Sequence, residues 1–107
     1  MTKIYYPYPA TDNKHKYYII TSSGTKKNFG RKGYEHFTEG HLDEERKQRY
    51  LNRHKKNERW DDFDTAGAWS AQFLWEYPTY KEAYKKIKKE LLKGGYITEK
   101  QYKEYVF

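Results

Sequence analysis

The sequence predicts an α+β domain: an extended N-terminal arm and a β-hairpin, then about four helices, the last two a helical hairpin. Three observations carry that expectation. A β-branched and aromatic run at 17–21 is broken by Ser22-Ser23-Gly24 and resumes at 25–29. Gly and Pro are absent from 42–57. Thr79 with Glu82, and Thr98 with Gln101, are spaced as capping boxes ahead of apolar stripes.

In chain order, residues 1–16 are punctuated by Pro7, Pro9, Asp12 and Asn13 and read as an arm with Tyr5, Tyr6 and Tyr8 as anchors. The hairpin opens a central domain over 17–93. Gly30 and Gly33 mark a structural turn, because neither GxxxxGK[ST] nor GxGxxG spacing is present. A helix is expected over 42–57, with Asp43, Glu44 and Glu45 at its start and Lys55 and Lys56 at its end, as the macrodipole favours. Thr65 is the expected N-cap of the next helix, whose Ala66, Trp69, Phe73 and Leu74 face the core. Pro78 ends it. Over 80–93, Tyr80, Ala83, Tyr84, Ile87 and Leu91 form a stripe opposite Lys81, Lys85, Lys88 and Lys89. Gly94-Gly95 closes that helix, and 94–107 forms a C-terminal helical extension.

Composition narrows the function. A chain of 107 residues is one domain's worth. Only 36% of it is hydrophobic, yet 20% is aromatic, with 13 Tyr, so the core must be built from rings and disorder is disfavoured. No Cys is present, which excludes disulfides and thiolate metal sites. No apolar run reaches the length of a membrane span or signal peptide, so neither a span nor secretion by a leader of its own is expected.

Enzymatic constellations are weak. Ser22, Ser23 and Ser70 sit in no nucleophile context, and no catalytic residue or cofactor is expected. His15, His36, His41 and His54 follow no zinc spacing. A metal-dependent nuclease built from His36, His41 and His54 with Asp43 ranks lowest among the readings, and no metal site is assigned. Asp61, Asp62 and Asp64 form no DxDxDG loop and are read as capping the helix that begins near Thr65 and pairing with Arg59.

The net charge of +7 favours polyanions or acidic protein surfaces as partners. On a helix, Arg46, Arg49, Arg53 and Lys56 follow i, i+3, i+7 and i+10 and project from one side. Lys26, Lys27, Arg31 and Lys32 extend the basic surface from the hairpin. Tyr34, Phe37 and Tyr50 interleave rings suited to stacking on unpaired bases, with Trp69 packed against Tyr50 to stiffen the platform. The competing reading is a solvated helix whose Asp43, Glu44, Glu45 and Glu58 neutralise it internally.

The pieces Phe29-Gly30, Lys32-Gly33-Tyr34, Glu45-Arg46-Lys47, Arg49-Tyr50, Arg53-His54-Lys55, Thr65-Ala66-Gly67, Trp69-Ser70, Leu74-Trp75 and Pro78-Thr79 fall on an FG-x-KGY … ERKxRYxxRHxK … TAGxWS … LWxxPT pattern. In this the chain resembles a family of small uncharacterised proteins of nucleocytoplasmic large DNA viruses. It departs from that pattern at Ala68, Ala71-Gln72 and Glu76-Tyr77. The resemblance implies a setting in virus particles or in the cytoplasm or nucleus of infected cells, and no enzyme. The expected function is therefore a non-enzymatic virion or assembly component that binds capsid or other virion proteins, or packaged DNA. A dedicated nucleic-acid-binding protein is the alternative. The oligomeric state is left open.

Overall fold

A computed structural model describes residues 3–55 and 60–107, with the backbone alone at Lys55. The fold is α+β. Strands β1 (Tyr8–Pro9), β2 (His15–Ile20) and β3 (Lys26–Arg31) form an antiparallel sheet in the order β1-β2-β3. They are followed by helices α1 (Glu44–Lys55), α2 (Ala66–Trp69), α3 (Tyr80–Lys93) and α4 (Glu99–Glu104). A π-helical turn, Ser70–Trp75, continues α2.

The expected hairpin is present, with Tyr17 opposite Phe29 and Ile20 opposite Lys26 around the 21–25 turn. Within the residues expected as an extended arm, Tyr8 and Pro9 form a third strand, Tyr8 pairing with Tyr18 and Pro9 with Tyr17. Proline is tolerated there because β1 is an edge strand. Tyr5 is 1% exposed and takes a left-handed backbone, φ 51°, which a bulky side chain adopts only when it is held. It is held from three sides. Its N–H donates to the Ile20 carbonyl at 2.9 Å, its carbonyl accepts from the Tyr84 hydroxyl at 3.2 Å, and its own hydroxyl donates to Asp64.

The C-terminal segment packs into the core. Ile97 and Tyr105 are buried, and the Phe107 ring lies edge-on to Phe73 at 5.3 Å. The Tyr6 hydroxyl donates to the Val106 carbonyl, tying the two ends of the described chain together.

Local signals place the helix ends. Thr65 Oγ1 accepts from Ala68 N and Thr79 Oγ1 from Glu82 N, while Thr98 and Gln101 form a complete capping box. Gly95, at φ 78°, ends α3: its N–H bonds the Leu92 carbonyl and that of Tyr96 the Leu91 carbonyl, a Schellman arrangement. The core is made of rings, as the composition requires. Trp69, Trp75, Tyr84, Phe63 and Phe73 are fully buried with Ile19, Leu74, Ile87 and Leu91. Two of the buried rings place their polar atoms on backbone: Trp69 Nε1 donates to the Phe63 carbonyl at 2.9 Å and the Tyr84 hydroxyl to the Tyr5 carbonyl.

One close approach fixes how β3 meets the π-helical turn. Gly30 has φ 76°, and a Cβ there would lie 2.6 Å from Leu74 Cδ1, a side chain with no exposed surface to retreat into. Gly33 has φ 85° and nothing within 4 Å of the same added atom. Gly33→Ala should therefore cost only the backbone strain, about 1–2 kcal/mol, and Gly30→Ala clearly more. Urea unfolding of the two variants checks the order, and equal losses would remove steric contact with Leu74 as the reason.

Candidate nucleic-acid interface

Helix α1 begins where Asp43 caps it: Asp43 Oδ1 accepts from the backbone of Glu45 at 3.0 Å and of Arg46 at 3.3 Å. Its sequence has almost no aliphatic side chain, so little apolar burial holds it. What docks it is Tyr50. That ring stacks on Trp75 of the π-helical turn, with centroids 4.2 Å apart and planes within 5°, and its hydroxyl lies 3.1 Å from Ser70 Oγ. The His54 ring covers it at 4.3 Å. Trp75 is a hub, since His36, His41 and Tyr34 also pack around its ring. Tyr50 is thus anchored by Trp75 and not by Trp69, which lies in the core against Phe29, Phe63 and Tyr84.

With Tyr50 fixed, Arg46, Arg49 and Arg53 rise from one side of α1, as their spacing predicts. They border a small cleft of about 180 Å³ completed by Tyr34, Tyr50 and Trp75. Arg49 and Arg53 are exposed and, among the described residues, make no ion pair. Arg46 reaches Glu35 at 3.6 Å, a partly exposed contact worth little in water. Lys56 lies outside the described residues.

On the other side of Tyr50 runs a larger groove of about 690 Å³, bordered by Lys14, His15, Asn28, Arg31 and Lys32 from the sheet and by Ala66, Gly67 and Ser70 from α2 and its continuation. Neither hollow has a carboxylate in its described lining. Arg31 and Lys32 thus join the α1 arginines through a shared tyrosine. Lys26 and Lys27 do not: Lys26 sits over the Tyr18 ring at 4.3 Å, at the far end of the hairpin, and neither borders the groove or the cleft. Phe37 is buried beneath the Lys47 ammonium at 4.8 Å and offers no stacking face, whereas Tyr34 keeps 44% of its surface.

The sequence reading missed Lys14, His15, Asn28, Ser70 and Trp75. A signal existed for the first two: the hairpin register that pairs Ile20 with Lys26 also brings His15 opposite Arg31 and Lys32 N within 2.9 Å of the Lys14 carbonyl. Another hollow has the opposite sign. About 840 Å³ in volume, it is bordered by Asp61, Asp62, Glu76 and Glu90 together with Lys93, and burial raises the Glu76 carboxyl above its ordinary range.

The histidines do not converge on a metal. His36 is 4% exposed, and its Nδ1 accepts from the Lys16 ammonium at 2.8 Å, a cation where a metal site would need a further donor. His41 Nδ1 accepts from Asp43 N, and His54 covers Tyr50. Among the described residues no group of three or more metal-ligating side chains is assembled. Asp62 and Asp64 serve the chain instead: the Asp62 carbonyl accepts from Thr65 Oγ1 and Asp64 from the Tyr5 hydroxyl. Arg59, the expected partner of these carboxylates, lies outside the described residues.

The architecture defines a small α+β domain with a cationic surface divided by one anchored tyrosine. A family model described as a family of unknown function (DUF5754) matches residues 8–54, which take in the whole sheet and the part of α1 that bears Arg46, Arg49 and Arg53. No curated protein matches the chain, and no solved structure does.

Two tests follow from this geometry. Tyr50→Ala should cost about 2–4 kcal/mol and speed amide exchange along α1, whereas Tyr50→Phe, which keeps the ring stack and removes the hydroxyl, should cost less, about 1 kcal/mol. Denaturant unfolding with hydrogen exchange reads both, and unchanged exchange in α1 would show that another contact docks the helix. Burial, with Lys16 and His41 nearby, lowers the His36 pKa from 6.5 to about 4. Because the unfolded chain binds this proton first, the His36 contribution is intact above pH 6.5 and is lost as pH falls toward 4, on the order of 3 kcal/mol. Asp12, held low by His15, acts only further into acid. Stability measured from pH 7 to 4 should fall in the wild type and flatten in His36→Gln, and parallel profiles would contradict the assignment.

Proposed function

We propose that the protein is a non-enzymatic binder of nucleic acid that contacts the phosphate backbone through Arg46, Arg49 and Arg53 on α1 and through Arg31 and Lys32 at the exit of β3. The observation that carries this reading is that Arg49 and Arg53 stand on a helix fixed by the Tyr50–Trp75 stack, exposed and without an ion pair among the described residues. A fixed platform loses less conformational freedom when it binds, and a row of guanidiniums suits the spacing of phosphates. The carboxylate-free lining of both hollows supports an anionic partner, while the separate acidic hollow gives the molecule an electrostatic polarity that would orient it.

The setting we propose is the one implied by the large-virus resemblance: a minor component of virus particles or of their assembly in infected cells, bound to packaged DNA. Capsid or other virion proteins are its further neighbours. Fixed stoichiometry in purified particles is the expected finding for that setting, and absence from particles would remove it.

Binding to a mixed-sequence oligonucleotide should weaken steeply with salt, with a log–log slope of about −3 to −5 if most of these cations engage phosphates. Arg49→Ala and Arg53→Ala should each weaken binding and make the slope shallower by about one. Lys26→Ala, on a residue outside the cleft and groove, should leave it unchanged. A flat salt dependence, or arginine variants that bind like the wild type, would overturn the proposal.

A further inference from the structure

Three guanidiniums share one small hollow. Arg46, Arg49 and Arg53 all border the cleft of about 180 Å³ on α1, and the rings of Tyr34, Tyr50 and Trp75 form the rest of its border. The cleft is smaller and more enclosed than the groove on the other side of Tyr50. Among the described residues its arginines make one ion pair, the 3.6 Å contact from Arg46 to Glu35, which is exposed and does not border the cleft. Like charges gathered at one hollow repel, and with rings for the remaining border their field is focused into it. Size limits which anion can answer that field. Small-molecule pockets run to about 300–1,000 Å³, well above this one. A water's share of liquid volume is about 30 Å³, so the cleft admits a group of roughly five or six heavy atoms. A phosphate fits that measure, and the nucleoside attached to it does not.

We infer that the arginine cleft is a phosphate-monoester site that holds the terminal phosphate of a nucleic-acid strand, with Arg46, Arg49 and Arg53 on its outer oxygens and the adjoining backbone passing Tyr50 toward Arg31 and Lys32. The inference rests on the nucleic-acid reading above and adds to it a preference for strand ends. Each guanidinium can pair two N–H groups with two phosphate oxygens in a fixed fork. A linkage inside a strand offers two non-bridging oxygens and a single negative charge. A terminal phosphate offers three and carries about −1.5 to −2 at pH 7. Three forks bordering one hollow match the terminal group in both oxygen count and charge. An internal linkage lying along the arginine row leaves part of that donor capacity unused. The shared border at Tyr50 gives the rest of the strand its path, because the same ring opens onto the groove that Arg31 and Lys32 border.

The full chain is titrated by fluorescence anisotropy with a short mixed-sequence single strand that carries its dye on an internal base. The strand is used in three forms, 5′-phosphorylated, 3′-phosphorylated and with hydroxyls at both ends, at one fixed salt concentration. At least one phosphorylated form should bind about tenfold tighter than the hydroxyl form, or more. Arg49→Lys and, independently, Arg53→Lys keep the charge and lose the fork, so each should bring the ratio of the two affinities close to one. Lys26→Ala, away from the cleft, should keep the full ratio. Thermal unfolding of the lysine variants confirms that they are folded. Salt-dependent binding with equal affinity for all three forms, or a ratio unmoved in both folded lysine variants, would overturn the end site while leaving the backbone contacts standing. A phosphotyrosine peptide that displaces the strand as well as the unlabelled phosphorylated strand does would make a phosphoprotein the ligand and equally overturn it. Loss of salt-dependent binding to every form would remove the underlying reading and the end site with it.

Discussion

The stack of Tyr50 on Trp75 is the contact on which the functional surface depends. Helix α1 is too polar to be held by a conventional apolar stripe; hydrophobic neighbours such as Leu51 are only partly buried against the core. One ring pair, parallel within 5° and 4.2 Å apart, does what several aliphatic side chains do elsewhere. It lets the remaining positions of the helix be charged without the helix drifting. Stability and charge display are thereby assigned to different residues of the same turn: Tyr50 anchors, and Arg49 and Arg53 face outward.

The same division of labour runs through the fold. Rings fill the interior and their hydroxyls and indole nitrogens reach backbone or carboxylate partners, as Tyr5 does with Asp64 and Trp69 with the Phe63 carbonyl. This leaves the lysines and arginines free of structural duty over much of the surface. Lys16 is an exception that serves the core directly, its ammonium donating to the buried His36 beneath the sheet exit. The π-helical turn is the pivot between the two roles, because a wider turn lets Trp69, Phe73, Leu74 and Trp75 all be buried within one short segment. Gly30 permits the strand to pass close above it.

Much of this was legible from local patterns. The caps at Thr65, Thr79 and Thr98, the Gly95 stop and the α3 stripe are short-range consequences of side-chain chemistry, and periodicity reports them directly. The arginine row also followed from helical spacing alone. Long-range choices were not legible. Two residues, Tyr8 and Pro9, are too few to announce a strand, and the cost of φ 51° at Tyr5 gives no hint in sequence of the contacts that hold it. The expected partner of Tyr50, Trp69, lies in the core, and the π-helical turn after Ser70, which no spacing announces, carries Trp75, the ring that meets Tyr50. The groove escaped notice because it is assembled from three separate elements, and Asn28 carries no motif.

The central claim is that a fixed row of arginines, continued past Tyr50 onto the exit of β3, is where the chain meets a nucleic acid. Mapping amide chemical-shift changes by NMR during titration with an oligonucleotide addresses it most directly. The account predicts that the shifts concentrate on Arg31, Lys32, Arg46, Arg49, Tyr50 and Arg53 and spare the acidic hollow around Asp62 and Glu90. Shifts centred on the lysine face of α3, with α1 and the β3 exit unmoved, would contradict it.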